Sequence, residues 1–276
     1  MAHILDTIPS FEAFARKAFL ESPYTRETLW EEGYEAAHPR VFTAFYAAEP
    51  GRSGRSALVR DLSRVREVAR QGAPVMGQLI SEVEPDVARI LGMEGSEMPR
   101  HVLMVGPMST NVVVGCLDDE VTLFHCLEWF QDNEGARVLV AHEDTHAFHR
   151  MQLDVPIPTD AAWTAFYEGL AAQVSRTAVP GRPEADYFWY GHEGFSAWLP
   201  WCQEHLDELT ERFRSALDDP DTCDTFFGSG LVDGRWRVGF YLADDLVGRL
   251  DRSLPELIAM TADEGRTAMR EALNAR

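Results

Sequence analysis

Apolar positions recur at three- and four-residue spacings through Phe11–Leu20, Glu27–Phe45, Ser56–Arg70 and Val75–Leu91, the signature of amphipathic helices. Gly51–Gly54 and Gly92–Met98 interrupt them as loops. The pattern then shortens. His101–Val105, Asn111–Cys116 and Val121–Cys126 are compact runs of Val, Leu and Phe separated by GPMST and LDDE, which predicts two or three strands. Helical spacing returns over Gly135–Met151, Asp160–Val179, Phe195–Leu217, Trp236–Leu250 and from Ala262 to the end, with prolines such as Pro156, Pro180 and Pro200 as punctuation. Helices, a small sheet and helices again predict an α+β fold, mostly helical. Residues 1–96 read as a helical N-terminal subregion packed on a main part, 97–276, the whole forming one compact unit.

The chain has 276 residues, 45% hydrophobic and 25% charged, enough for a substantial core. Its net charge of −20 repels phosphate backbones and anionic lipid, so neither nucleic acid nor a membrane is an expected partner. Val102–Leu117, the longest apolar-looking stretch, is broken by Gly106, Pro107 and Asn111 and is too polar to span a bilayer. The opening MAHILDTIPSFEAF has no basic leader before an apolar core. Four cysteines without a CxxC pair suit a reducing compartment, so a cytoplasmic location is expected.

The chemically informative segment is His142-Glu143-Asp144-Thr145-His146, an HExxH motif behind the apolar run ARVLVA. On a helix, His142 and His146 leave nearly the same face about 6 Å apart along the axis, so both imidazoles can point at one metal ion. Glu143 lies about 100° round from His142, where its carboxylate can act on water without ligating the ion. A catalytic zinc site commonly uses a third protein ligand. The candidate is Glu168, 22 residues after His146. The interval leaves room for a turn and a returning helix, and Gly169, Ala171 and Ala172 are small enough to let that helix pack closely on the first. His149 shares the face of His142 but lies about 10 Å along the axis, too far to join the same ion, and reads as a residue lining the cleft or supporting a ligand. The pair His192-Glu193 lacks a second histidine at the right spacing and reads as loop. Tyr187-Phe188-Trp189-Tyr190, with Trp198 and Trp201, is read as core packing in preference to a substrate wall. Asp218-Asp219-Pro220-Asp221 reads as a solvated turn.

With HExxH on one helix and a glutamate on the next, the sequence resembles the gluzincin metallopeptidases. More narrowly, it is similar to the predicted zinc-dependent proteases of uncharacterised function and the related peptidase-MA-like group, through LVAHEDTHAFHR, FYEGLAA, the strand-turn-strand segment before them and the distal RVGFYL, over roughly residues 97–252. The resemblance implies a zincin-like catalytic domain whose small sheet precedes the HExxH helix. It implies His142, His146 and Glu168 as ligands of one Zn2+ ion, Glu143 as general base and a hydrogen-bond donor for the oxyanion, for which Tyr241 is the candidate. A peptide or small amide is the expected substrate, with the strand ending near Cys126 beside the cleft, where it is expected to pair with an extended substrate as edge strands do with peptides. Some gluzincins carry an acid four residues after the glutamate ligand; here that position is Ala172, which leaves Asp144, Gln173 or a backbone carbonyl to orient a histidine. Two other readings keep the scaffold: an enzyme acting on a small molecule or biosynthetic peptide with zinc or Fe2+, and a non-catalytic metal-binding protein.

Overall fold

The computed structural model describes residues 2–49, 55–153, 157–188 and 195–275. The Gly51–Gly54 loop, Pro156, Trp189, Tyr190 and the His192-Glu193 pair lie outside the described residues. The architecture is α+β and mostly helical, with one small mixed sheet. Contacts divide the chain into two compact units, residues 1–85 with 95–147 and residues 86–94 with 148–276. Among the described residues, no helix is long and apolar enough to cross a membrane.

The first unit begins with β1 (His3–Asp6), followed by α1 (Ile8–Ala18), α2 (Pro23–Leu29), α3 (Pro39–Ala48), α4 (Arg55–Arg60) and the long α5 (Leu62–Ile90). Then come β2 (Arg100–Met104), β3 (Val112–Leu117), β4 (Glu120–Cys126) and α6 (Asn133–Gln152). Two boundaries differ from the periodicity. The expected helix over Glu27–Phe45 breaks at His38, which leaves helical geometry (φ −134°) because Pro39 follows it; a wider-wound π turn covers Trp30–Glu35. The two helices expected either side of residues 71–74 are one, since α5 runs through Pro74 and Pro85.

Strand order is β1-β2-β4-β3, with β1, β2 and β4 parallel and β3 antiparallel to β4. The β3–β4 hairpin turns on Asp118 and Asp119, both at positive φ, as a two-residue turn demands. Thr7, which precedes α1, donates its hydroxyl to the Leu103 carbonyl at 2.9 Å and bonds the Tyr34 hydroxyl at 2.7 Å, so the start of the chain is tied to β2. One sheet face packs on α3, where Phe45 meets Phe124 at 5.8 Å between ring centres. Gly115 is needed there, since a Cβ would stand 2.9 Å from that of Ala48. The opposite face carries His101 and His125 towards α5 and α6.

The second unit is built around α7 (Ala161–Ala178). Around it lie α8 (Phe195–Glu204), α9 (Leu206–Ala216), α10 (Thr222–Phe227), the hairpin β5 (Leu231–Val232) and β6 (Arg235–Trp236), α11 (Val238–Gly248), α12 (Leu254–Ile258) and α13 (Ala262–Asn274). Asp160 caps α7 by accepting the Trp163 amide at 3.0 Å. The helix expected over Phe195–Leu217 divides at His205 into α8 and α9. The α7–α11 contact is very close: a Cβ at Gly169 would fall 2.3 Å from the Ala243 carbonyl oxygen and 2.6 Å from a Val247 methyl. Gly169 therefore serves packing against α11, a role the sequence pattern assigned to contact with the HExxH helix.

Candidate metal centre

The helix α6 is buried almost all round through its middle, with Ala136, Val138, Val140, Ala141, Ala147 and Phe148 inside. A helix so placed delivers its polar side chains into the interior. The Thr145 hydroxyl is satisfied by the Ala141 carbonyl at 2.8 Å. His142 and His146 project one turn apart, with Nε2 atoms 3.1 Å apart and ring planes at 88°. Glu168 of α7 completes the group: each of the three residues offers a donor atom within 4.8 Å of the others'.

The donor set fits a divalent transition metal. Tetrahedral zinc with bonds of about 2.0–2.1 Å needs its ligand atoms about 3.3 Å apart, close to the 3.1 Å between the two imidazole nitrogens. Two imidazoles and one carboxylate also leave room for a fourth, exchangeable ligand, as a catalytic site requires. Imidazole and carboxylate donors suit iron as well as zinc.

The remaining candidates are distributed differently. His149 is fully buried with its ring 5.1–5.9 Å from those of Trp163, Phe166 and Tyr167, so it lines no cleft and stands outside the converging group. Asp144 points the opposite way from the two ligand histidines and neither of its oxygens accepts a hydrogen bond, so it orients neither imidazole. Gln173 donates to the Asp244 backbone and side chain at 3.1 and 2.8 Å and is committed to α11. Asp244 also takes the Arg176 guanidinium, which Glu184 shares. Burial pushes the Asp244 carboxyl up, against the pull of Arg176.

Tyr241 is half-buried, its ring 5.9 Å from Phe188 and 6.5 Å from Trp198, and burial followed by the charges of Asp245 and Asp244 raises its hydroxyl pKa. Tyr187, Phe188 and Trp198 are themselves buried, with Arg176 stacked 4.4 Å over the Tyr187 ring, as the core reading expects. The strand ending at Cys126 does not offer an edge: β4 is hydrogen-bonded to β2 on one side and β3 on the other, which corrects the expectation that it pairs with substrate. At the sheet end, Glu128 is buried and accepts the Gly106 and Met108 amides at 2.9 and 3.1 Å, while desolvation pushes it up to about 7.

One polar cluster escaped sequence reasoning. Glu84, His101, His125 and Asp144 are all buried behind α6. The available signal was slight: His101 and His125 interrupt otherwise apolar strands at positions facing the helices. Desolvation moves Glu84 up to about 7 and His101 down to about 3. Comparison with protein-family models, curated proteins and solved structures gives no match to this chain.

Proposed function

We propose that the chain is a zinc-dependent hydrolase of the gluzincin type, a metallopeptidase that cleaves peptide or amide bonds. The observation that carries the reading is the convergence of His142, His146 and Glu168 donor atoms within 4.8 Å. A helix that brings two neutral donors and a separate helix that brings an acid make a site for one divalent ion, His142 and His146 binding through nitrogen and Glu168 through oxygen. When bound, zinc supplies Lewis acidity, polarising a carbonyl and lowering the pKa of water.

Glu143 carries the proton chemistry. It follows His142 directly and so stands on the shoulder of the ligand face. Its carboxylate accepts a proton from the attacking water as the water oxygen bonds to the carbonyl carbon, and gives that proton to the nitrogen as the C–N bond breaks. A purely structural ion has no use for such a carboxylate. Asp144, with its back to the site, takes no part in the transfer.

The test is Glu143→Gln in zinc-loaded protein assayed on a diverse peptide mixture by mass spectrometry. The expected result is unchanged zinc content with turnover reduced by about 10²–10⁴-fold. Equal turnover in the variant, or no cleavage by the zinc-loaded wild type, contradicts the proposal.

A further inference from the structure

The buried cluster behind α6 is unlike the rest of the interior. Glu84 from α5, His101 from β2, His125 from β4 and Asp144 from α6 are each at most 2% exposed. His101 is their centre: its Nε2 lies 3.0 Å from Glu84 Oε1 and 3.9 Å from Asp144 Oδ1, while its Nδ1 lies 3.0 Å from His125 Nε2. Both oxygens of Asp144 lack any hydrogen-bond partner, an expensive state for a fully buried carboxyl. No arginine or lysine pairs with any of the four among the described residues. Two carboxyl groups thus share a buried pocket with two imidazoles and no side-chain cation.

We propose that Glu84, His101 and Asp144 form a second metal site, buried in the first unit, that takes one divalent transition-metal ion. The site is separate from the first because Asp144, two residues from each ligand histidine, leaves the opposite face of α6. Two ionised carboxylates are neutralised by one divalent cation, and Asp144 gains the partner it lacks. His101 is already arranged as a ligand: its Nδ1 is held by His125, which fixes the ring, and its Nε2 faces the acids, the usual way an imidazole is oriented on a metal. The imidazole in the set favours Zn2+ or Mn2+ over Ca2+. The donors of Glu84, His101 and Asp144 do not all lie within 4.8 Å of one another, as those of His142, His146 and Glu168 do, so holding one ion requires the Asp144 carboxylate to move in towards Glu84. An ion there clamps α5, β2 and α6 together and leaves the hydrolytic groups untouched.

The test is metal stoichiometry on the full chain, stripped with chelator, reloaded with Zn2+ or with Mn2+ and analysed after dialysis. Wild type is expected to retain two equivalents. Glu84→Gln and Asp144→Asn, near-isosteric changes, are each expected to retain one, and His142→Ala a different one. A single wild-type equivalent that His142→Ala removes overturns the second site and leaves the first standing. A single equivalent removed by Glu84→Gln but not by His142→Ala supports the second site and sinks the hydrolase reading. Two equivalents that survive both Glu84→Gln and Asp144→Asn also overturn it. Should these variants fail to fold by circular dichroism, the wild-type count decides: two equivalents with His142→Ala keeping one support the site, and any count below two that vanishes with His142→Ala rejects it.

Discussion

Gly169→Ala is expected to destabilise the protein even though alanine is the better helix former. The added methyl would stand 2.3 Å from the Ala243 oxygen, 2.7 Å from its carbonyl carbon and 2.6 Å from Val247 Cγ2. Ordinary contacts begin near 3.4 Å, so α7 and α11 must part by about 1 Å, and the atom in the way is backbone, which no rotamer change relieves. Overpacking of this kind costs roughly 3 kcal/mol, against a gain of about 1 kcal/mol in helix propensity. The net loss of about 2 kcal/mol lowers the melting temperature by roughly 4–8 °C. Gly77 provides the internal comparison, since it lies within α5 and a Cβ there meets nothing within 4 Å. Gly77→Ala should gain the propensity term alone, about 1 kcal/mol. Denaturant unfolding of the metal-free protein measures both. Equal stabilisation by the two substitutions would refute the close α7–α11 contact.

Glu128, raised to about 7 by burial against an ordinary 4.5, keeps its proton in the folded state where the unfolded chain has lost it. Its contribution to stability is complete below pH 4.5 and is lost as pH rises through 7, with a slope of up to about 1.4 kcal/mol per pH unit. Glu128→Gln should flatten the stability profile over that window; a profile parallel to wild type contradicts the assignment. Asp160→Ala removes the cap of α7 and the 2.7 Å ion pair with Arg266, at a cost of about 1–2 kcal/mol by chemical denaturation. Asp160→Asn should keep most of it, and equal losses would mean that capping is not the cause. Tyr241→Phe should lower kcat by about 10²–10³-fold if its hydroxyl stabilises an oxyanion. Unchanged kcat would confine Tyr241 to packing against Phe188 and Trp198.

Local chemistry was legible in the sequence and tertiary chemistry was not. HExxH is written in helical period, so the proximity of His142 and His146 follows from the sequence alone. The same holds for the LDDE hairpin, whose two aspartates adopt positive φ. A similar signal stands at Asp233-Gly234, also both at positive φ, where the β5–β6 hairpin turns. The strand β1 was invisible because four residues carry no period, and its pairing partner lies almost a hundred residues away. Glu168 stood out by spacing, yet its neighbour Gly169 was assigned to the wrong helix contact, since the pattern of small residues says that something packs closely but not what. With Ala172 where an acid is expected, the sequence leaves Asp144 as one of the candidate supports for the ligand histidines. The helix turns it to the opposite face, where a buried cluster drawn from two other strands and another helix awaits it. No local pattern brings those four residues together.

The most direct measurement is a competitive zinc titration of wild type, His142→Ala and Glu168→Ala in the Glu84→Gln background, so that a single site is followed. Removal of either ligand is expected to weaken zinc by more than about 100-fold. Wild-type affinity retained in Glu168→Ala would mean that the acid of α7 does not hold the ion, and the three-ligand centre on which the hydrolase reading rests would be wrong.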